Sequence, residues 1–111
     1  MVRMNKELIK KITLQIEDNP ESWDQTAWAE QGACGTTFCV AGWACELTGY
    51  SPRFSDQARG AITSVAVNES GEEVNIESHA RAALGLSHEE AYELFFAPEP
   101  VALRLLKEWS A

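Results

Sequence analysis

No run of apolar residues in this chain is long enough to cross a bilayer, which excludes a helical membrane span. Bases are scarce: nine Lys and Arg stand against 17 Asp and Glu, for a net charge of −8. Four of those bases, Arg3, Lys6, Lys10 and Lys11, share residues 1–11 with Glu7, a local +3 that leaves −11 on the remainder. Such a surface repels phosphate backbones, so direct nucleic-acid binding is disfavoured and a basic protein partner is favoured. Cysteine is also sparse. Three is an odd count, which argues against a disulfide framework and for reduced, buried thiols in a cytoplasmic protein. The basic N-terminus is followed by Leu8, Ile9 and Ile12 interrupted by lysines, which is no secretory signal. No phosphate-cradling glycine loop, internal repeat or low-complexity tract is found.

What is present is enough apolar matter for one core. The chain has 111 residues, 45% of them hydrophobic, with four tryptophans, which excludes disorder as the main state. A single domain over 1–111 is expected, burying roughly two-thirds of its unfolded surface.

Periodicity predicts a first helix from about Asn5 to Asp18, with Met4, Leu8, Ile9, Ile12 and Ile16 on one face. It can close the core or pair with a second subunit, so a homodimer stays open. Asn19-Pro20 stops it and starts another turn, after which Trp23 and Trp28 fold back on the helix. Gly32 and Gly35 bracket a tight turn around Cys34, and Thr36 or Thr37 caps a central helix over Cys39–Thr48. Phe38, Val40, Ala41, Trp43, Ala44 and Leu47 leave that helix almost no polar face, so it is a core helix, ended by Gly49. Gly42 implies close approach of another backbone. Residues 50–61 read as a loop. Ile62–Val67 and Glu72–Ile76 read as one short hairpin, with Val65, Val67, Val74 and Ile76 alternating with polar residues.

The last third is helical again. Ser78 opens a short helix over Ala80–Leu84, closed by Gly85. Ser87 and Glu90 form a capping box, with Leu86 stapled to Ala91, for a helix ending near Phe96. Pro100 starts the final helix, whose inner face is Val101, Ala102, Leu105, Leu106 and Trp109. The expected fold is therefore mainly α with minor β: a small helical bundle around a buried central helix, with one short β-hairpin.

Taken in order, Trp23-Asp24-Gln25 with Trp28, then Cys34-Gly35-Thr36-Thr37-x-Cys39-x-Ala41-Gly42-Trp43, then Leu84-Gly85-Leu86 with Glu90-Ala91 and Leu94-Phe95, form a series. It resembles small uncharacterised proteins of actinobacteria and the phages that infect them, over residues 12 to 106. The resemblance implies a mostly helical protein and a phage or mobile-element setting, in which small acidic proteins often act by binding a host protein. It implies no activity.

Candidate sites follow from residue chemistry. The acids Glu69, Glu72, Glu73, Glu77, Glu89, Glu90 and Glu93 face only Arg81 in their stretch. Such a run is usually a solvated surface, but gathered on one face it can imitate phosphates and occupy a basic groove. Glu89, Glu90 and Glu93 are the candidate partner-binding acids. Trp23 and Trp28 lie in a polar stretch, and an exposed tryptophan marks a binding surface. The reading that follows is a non-enzymatic, acidic protein-binding module without cofactor, whose partner is a host or cellular protein with a basic surface.

The alternative is a small thiol enzyme or zinc protein centred on Cys34 and Cys39, with His79 or His88 as base. The Cys-x4-Cys-x5-Cys spacing sits at the edge of zinc-knuckle spacing and does not bring three thiols onto one ion. A helix N-terminus does lower a thiol pKa. The helix after Ser87, however, carries His88, Glu89, Glu90 and Glu93 and no lysine or arginine, which argues against reading DNA with it.

Overall fold

A computed structural model describes residues 4–25, 27–32, 35–54 and 61–111 of the chain. Helix α1 (Lys6–Asp18) starts where the Asn5 side chain accepts from the Leu8 N–H. It buries Leu8, Ile9, Ile12 and Ile16, the face its periodicity marks out. Asn19-Pro20 ends it and opens a single 3-10 turn, Pro20–Ser22. The chain then enters a hairpin of β1 (Ala29–Gly32) and β2 (Gly35–Phe38), paired antiparallel from Ala29 opposite Phe38 to Gly32 opposite Gly35. Helix α2 (Val40–Glu46) follows, with every residue from Val40 to Cys45 buried. It is the central core helix.

Past α2 come β3 (Ser51–Pro52), β4 (Ile62–Thr63), β5 (Val65–Val67) and β6 (Glu73–Asn75). These strands join two antiparallel sheets, ordered β2-β1-β4 and β3-β5-β6. Helices α3 (Ile76–Leu84), α4 (His88–Phe95) and α5 (Glu99–Trp109) complete the chain. Asn75 caps α3 by accepting from the Ser78 N–H, and Gly85 ends it at φ 70°, the left-handed position glycine takes without strain. Ser87 and Glu90 form the expected capping box, and Leu86 and Ala91 are both buried beside it. Ala102, Leu105 and Leu106 turn α5 toward the core, with Val101 and Trp109 half-buried. Among the described residues no helix is long and apolar enough to cross a membrane.

The expected mainly helical bundle with one hairpin is overturned: five α-helices share the described chain with two three-stranded sheets, an α+β fold. Two local competitions explain the difference. Thr36 and Thr37 lie in β2 and cap nothing, and the central helix is Val40–Glu46 with Cys39 at its N-cap. The stretch Ile62–Val67 is not one strand. Thr63 Oγ1 accepts from the Val65 N–H (3.1 Å) and donates to the Arg53 carbonyl (2.7 Å), a local side-chain bond that competes with the ladder. The break at Ser64 sends Ile62–Thr63 to β1 and Val65–Val67 to β3 and β6. Ala66, not Val65 and Val67, faces inward, and Ile76 is the first residue of α3. Part of the expected loop 50–61 pairs as β3, and Ser55 to Gly60 lie outside the described residues.

Candidate protein-docking groove

The side chain that organises the surface is Gln25. Its Oε1 accepts from the Val40 N–H (2.8 Å), a donor at the start of α2 that no side chain of its own cap satisfies. The same oxygen accepts from the Trp23 indole Nε1 (3.0 Å). Its Nε2 lies 3.3 Å from each of the carbonyls of Leu94, Phe95 and Ala97, at the open C-terminal end of α4. One polar side chain thus fastens the N-terminus of α2 to the C-terminus of α4.

Trp28 is fixed by its own backbone. Its carbonyl accepts from the Cys39 N–H (3.4 Å), and the Cys39 thiol lies 3.7 Å from it. The same oxygen rests on Gly42, where any Cβ would collide with it and crowd Phe38. The expected close approach at Gly42 is this contact. So anchored, the Trp28 ring stands edge-on to Phe95 (centroids 6.1 Å apart, planes at 88°) and to Phe96 (5.6 Å, 77°). Tyr92 continues the row, 5.1 Å from Phe96.

Between these rings opens a groove of about 230 Å³, walled by Trp28, Phe95, Phe96 and Ile62, with Ala27, Cys39 and Gln25 completing it. Its walls are open to water at Ile62, 63% exposed, and Phe96, 56%, and Tyr92 beside Phe96 is 70% exposed. Scattered single apolar residues on a surface need no explanation, but a contiguous aromatic row does. The volume is below the ~300–1,000 Å³ of pockets for drug-sized ligands, and suits one or two inserted side chains.

The candidate partner-binding residues divide around this groove. Glu89 and Glu93 are exposed and share the outer face of α4 with Tyr92 and Phe96, by helical spacing. Glu90 points elsewhere: its carboxylate accepts from the Ser87 N–H (2.9 Å) inside the capping box. Trp28 is a half-buried wall of the groove. Trp23 is half-buried too, with its indole donating to Gln25. Sequence reasoning missed Gln25, Ile62, Tyr92 and Phe96. The i, i+4 pair Tyr92/Phe96 on a helix whose core face is Ala91, Leu94 and Phe95 was the available signal.

The thiol site gains little from the geometry. Cys34 lies outside the described residues. Cys39, at the groove floor, is buried, and burial pushes its thiol up to about 11; burial likewise pushes Cys45 up to about 12. Thiols so held keep their proton at neutral pH and are poor nucleophiles. Among the described residues no group of three or more His, Cys, Asp or Glu is placed to hold a metal ion. His79 is committed to Thr48 Oγ1 (Nε2 at 3.1 Å) and packs on Tyr50, while His88 lies exposed at the start of α4.

The class defined by fold and surface is a small α+β domain that presents an aromatic groove, with exposed carboxylates on the outer face of α4. Comparison with protein-family models, with curated proteins and with solved structures finds no match.

Proposed function

We propose that this chain is a non-enzymatic protein-binding module that takes a polypeptide segment in which an apolar side chain sits beside basic residues. The observation that carries the reading is the row Tyr92–Phe96–Trp28, open to solvent at Tyr92 and Phe96 and flanked on its own helix by Glu89 and Glu93. Aromatic anchors supply most of the energy of typical interfaces, and rim charges of one sign steer and select a partner of the other. The net charge of −8 adds long-range attraction for a basic partner and repulsion of nucleic acid. The resemblance to small actinobacterial and phage proteins supports a host protein, met in the cytoplasm, as that partner, and a modulating role for the complex.

Selection from a displayed random-peptide library tests this, with the wild type compared with Phe96→Ala and with the double variant Glu89→Lys/Glu93→Lys. Peptides joining a large apolar residue to Lys or Arg should be enriched by the wild type and lost with either variant. Enrichment that survives both variants, or none at all, refutes the reading. Sedimentation of the free protein separates out one rival: dimerisation abolished by Phe96→Ala would mean that a second copy fills the groove. Capture from an actinobacterial lysate, repeated with the two variants, then names the partner.

A further inference from the structure

The aromatic groove calls for an apolar side chain beside basic residues, and the chain carries such a pattern on its own surface. Among the described residues the exposed large apolar side chains are Leu14, Leu47, Ile62, Tyr92 and Phe96. Ile62, Tyr92 and Phe96 belong to the groove and its row, and Leu47 has no lysine or arginine within a turn of it. Leu14 on α1 is 53% exposed, and Lys10 and Lys11, both exposed, stand one helical turn before it. A single exposed leucine needs no explanation by itself. This one has the chemistry that the groove selects.

The charges along the outer face of α1 are unevenly placed. Before Leu14 stand Lys6, Lys10 and Lys11 against Glu7, and Lys6 also donates to the Ala111 carbonyl oxygen (3.0 Å). After Leu14 come Glu17, neutralised by Lys107 (3.0 Å), and Asp18. The groove carries the opposite sign: Glu89 and Glu93 lie on α4, and Glu99 accepts from the N–H of Gln25 (3.4 Å), one of the lining residues. Spacing agrees with sign. Lys10 and Lys11 lie about 5–6 Å along the axis from Leu14, and Glu93 and Glu89 lie about 5 and 10 Å from Phe96. A parallel approach of α1 to α4 seats Leu14 against Phe96 and brings both lysines within reach of a carboxylate. Asp18 opposes the contact, which keeps it weak and reversible.

In its own molecule α1 is held in the core by Leu8, Ile9, Ile12 and Ile16, so its outer face reaches only the groove of another molecule. We propose that Leu14, with Lys10 and Lys11, occupies the aromatic groove of a second copy, so that the protein masks its own docking site as its concentration rises. The inference rests on the reading of that groove as a protein-docking surface and adds its regulation: a partner of the same chemistry displaces the second copy. The contact joins two different surfaces, so it closes into a pair or ring or runs on as an open chain, and a change to either surface weakens every such form.

Sedimentation velocity of the full chain over a wide concentration range, at low and moderate salt, tests it. The wild type should associate reversibly, and less as salt screens the charges. Leu14→Ser and Phe96→Ala, on the two opposing surfaces, should each weaken association by about tenfold or more. The double variants Lys10→Glu/Lys11→Glu and Glu89→Lys/Glu93→Lys should each be monomeric alone and associate when mixed, because each supplies the charge that the other's altered surface lacks. Leu14→Ser leaves the groove intact and should take library-selected peptides at least as well as the wild type. A wild type that stays monomeric, association untouched by Leu14→Ser or Phe96→Ala, or charge-reversed variants that ignore one another would overturn the proposal. Peptide selection by a strictly monomeric wild type would sink this inference alone, whereas a groove that selects no peptide sinks the reading beneath it as well.

Discussion

Replacing Gln25 by alanine should cost more stability than any other single polar truncation among the described residues. Its oxygen satisfies Val40 N–H and Trp23 Nε1, and its amide nitrogen has two protons to share among the carbonyls of Leu94, Phe95 and Ala97. Four effective bonds at about 1 kcal/mol each set the scale, and the partial exposure of the site lowers it to about 3 kcal/mol. For a domain of this length that is a fall in Tm of about 12 °C, and a large part of the total for a fold stabilised by about 5–15 kcal/mol. Gln25→Glu separates the two halves of the clamp. It keeps the acceptor for Val40 and Trp23 but turns a second oxygen toward three carbonyls, so it should be at least as damaging as alanine. Thermal and urea unfolding, followed by circular dichroism, measure both. A loss under about 1 kcal/mol for Gln25→Ala, or a Gln25→Glu protein as stable as wild type, would refute the clamp.

Three further outcomes are expected. Gly42→Ala should lower the urea midpoint by the equivalent of about 1–3 kcal/mol, because the collision with the Trp28 carbonyl outweighs the ~1 kcal/mol that alanine adds in helix propensity; an unchanged or higher midpoint would remove that contact from the account. Cys39 and Cys45 should resist iodoacetamide in the folded protein near neutral pH and react once urea unfolds it, read by peptide mass spectrometry, and fast native labelling of Cys39 would reopen the thiol reading. Burial holds His79 below its ordinary 6.5, so the unfolded chain takes up that proton first: its contribution is complete above pH 6.5 and is lost as pH falls through 6.5 toward the lower folded value. Subtracting the Tm–pH curve of His79→Gln from that of wild type should show this acid-side loss, and parallel curves would contradict it.

The helices were legible because each carries its own instructions. Ser87 and Glu90 bond one another's backbone within one turn, and the face of Leu8, Ile9, Ile12 and Ile16 repeats at the helical period. The β structure was not. Ala29–Gly32 and Gly35–Phe38 hold too few apolar residues to alternate, and their two threonines satisfy helix-cap chemistry as well as strand chemistry. Ile62–Val67 did alternate, but the alternation cannot reveal that a Thr63 hydroxyl breaks the ladder. The groove was half legible: Trp28, Glu89 and Glu93 stood out by type. Gln25 did not, because it caps a helix fifteen residues away, and local sequence rules look no further than a turn.

The break at Ser64 has a thermodynamic consequence. Ile62, before it, is a wall of the aromatic groove, and Val67, after it, lines a second recess, between β2 and β3. The two recesses therefore share one short length of backbone, pinned midway where the Ser64 carbonyl accepts from Ile76 N–H (2.8 Å) at the start of α3. A guest that moves Ile62 pulls on this pin, and so does a guest that moves Val67. Whatever factor the first guest imposes on the affinity of the second is imposed equally in return, since such coupling is reciprocal. Residues 62–67 thus set whether events in the two recesses are felt separately or as a pair.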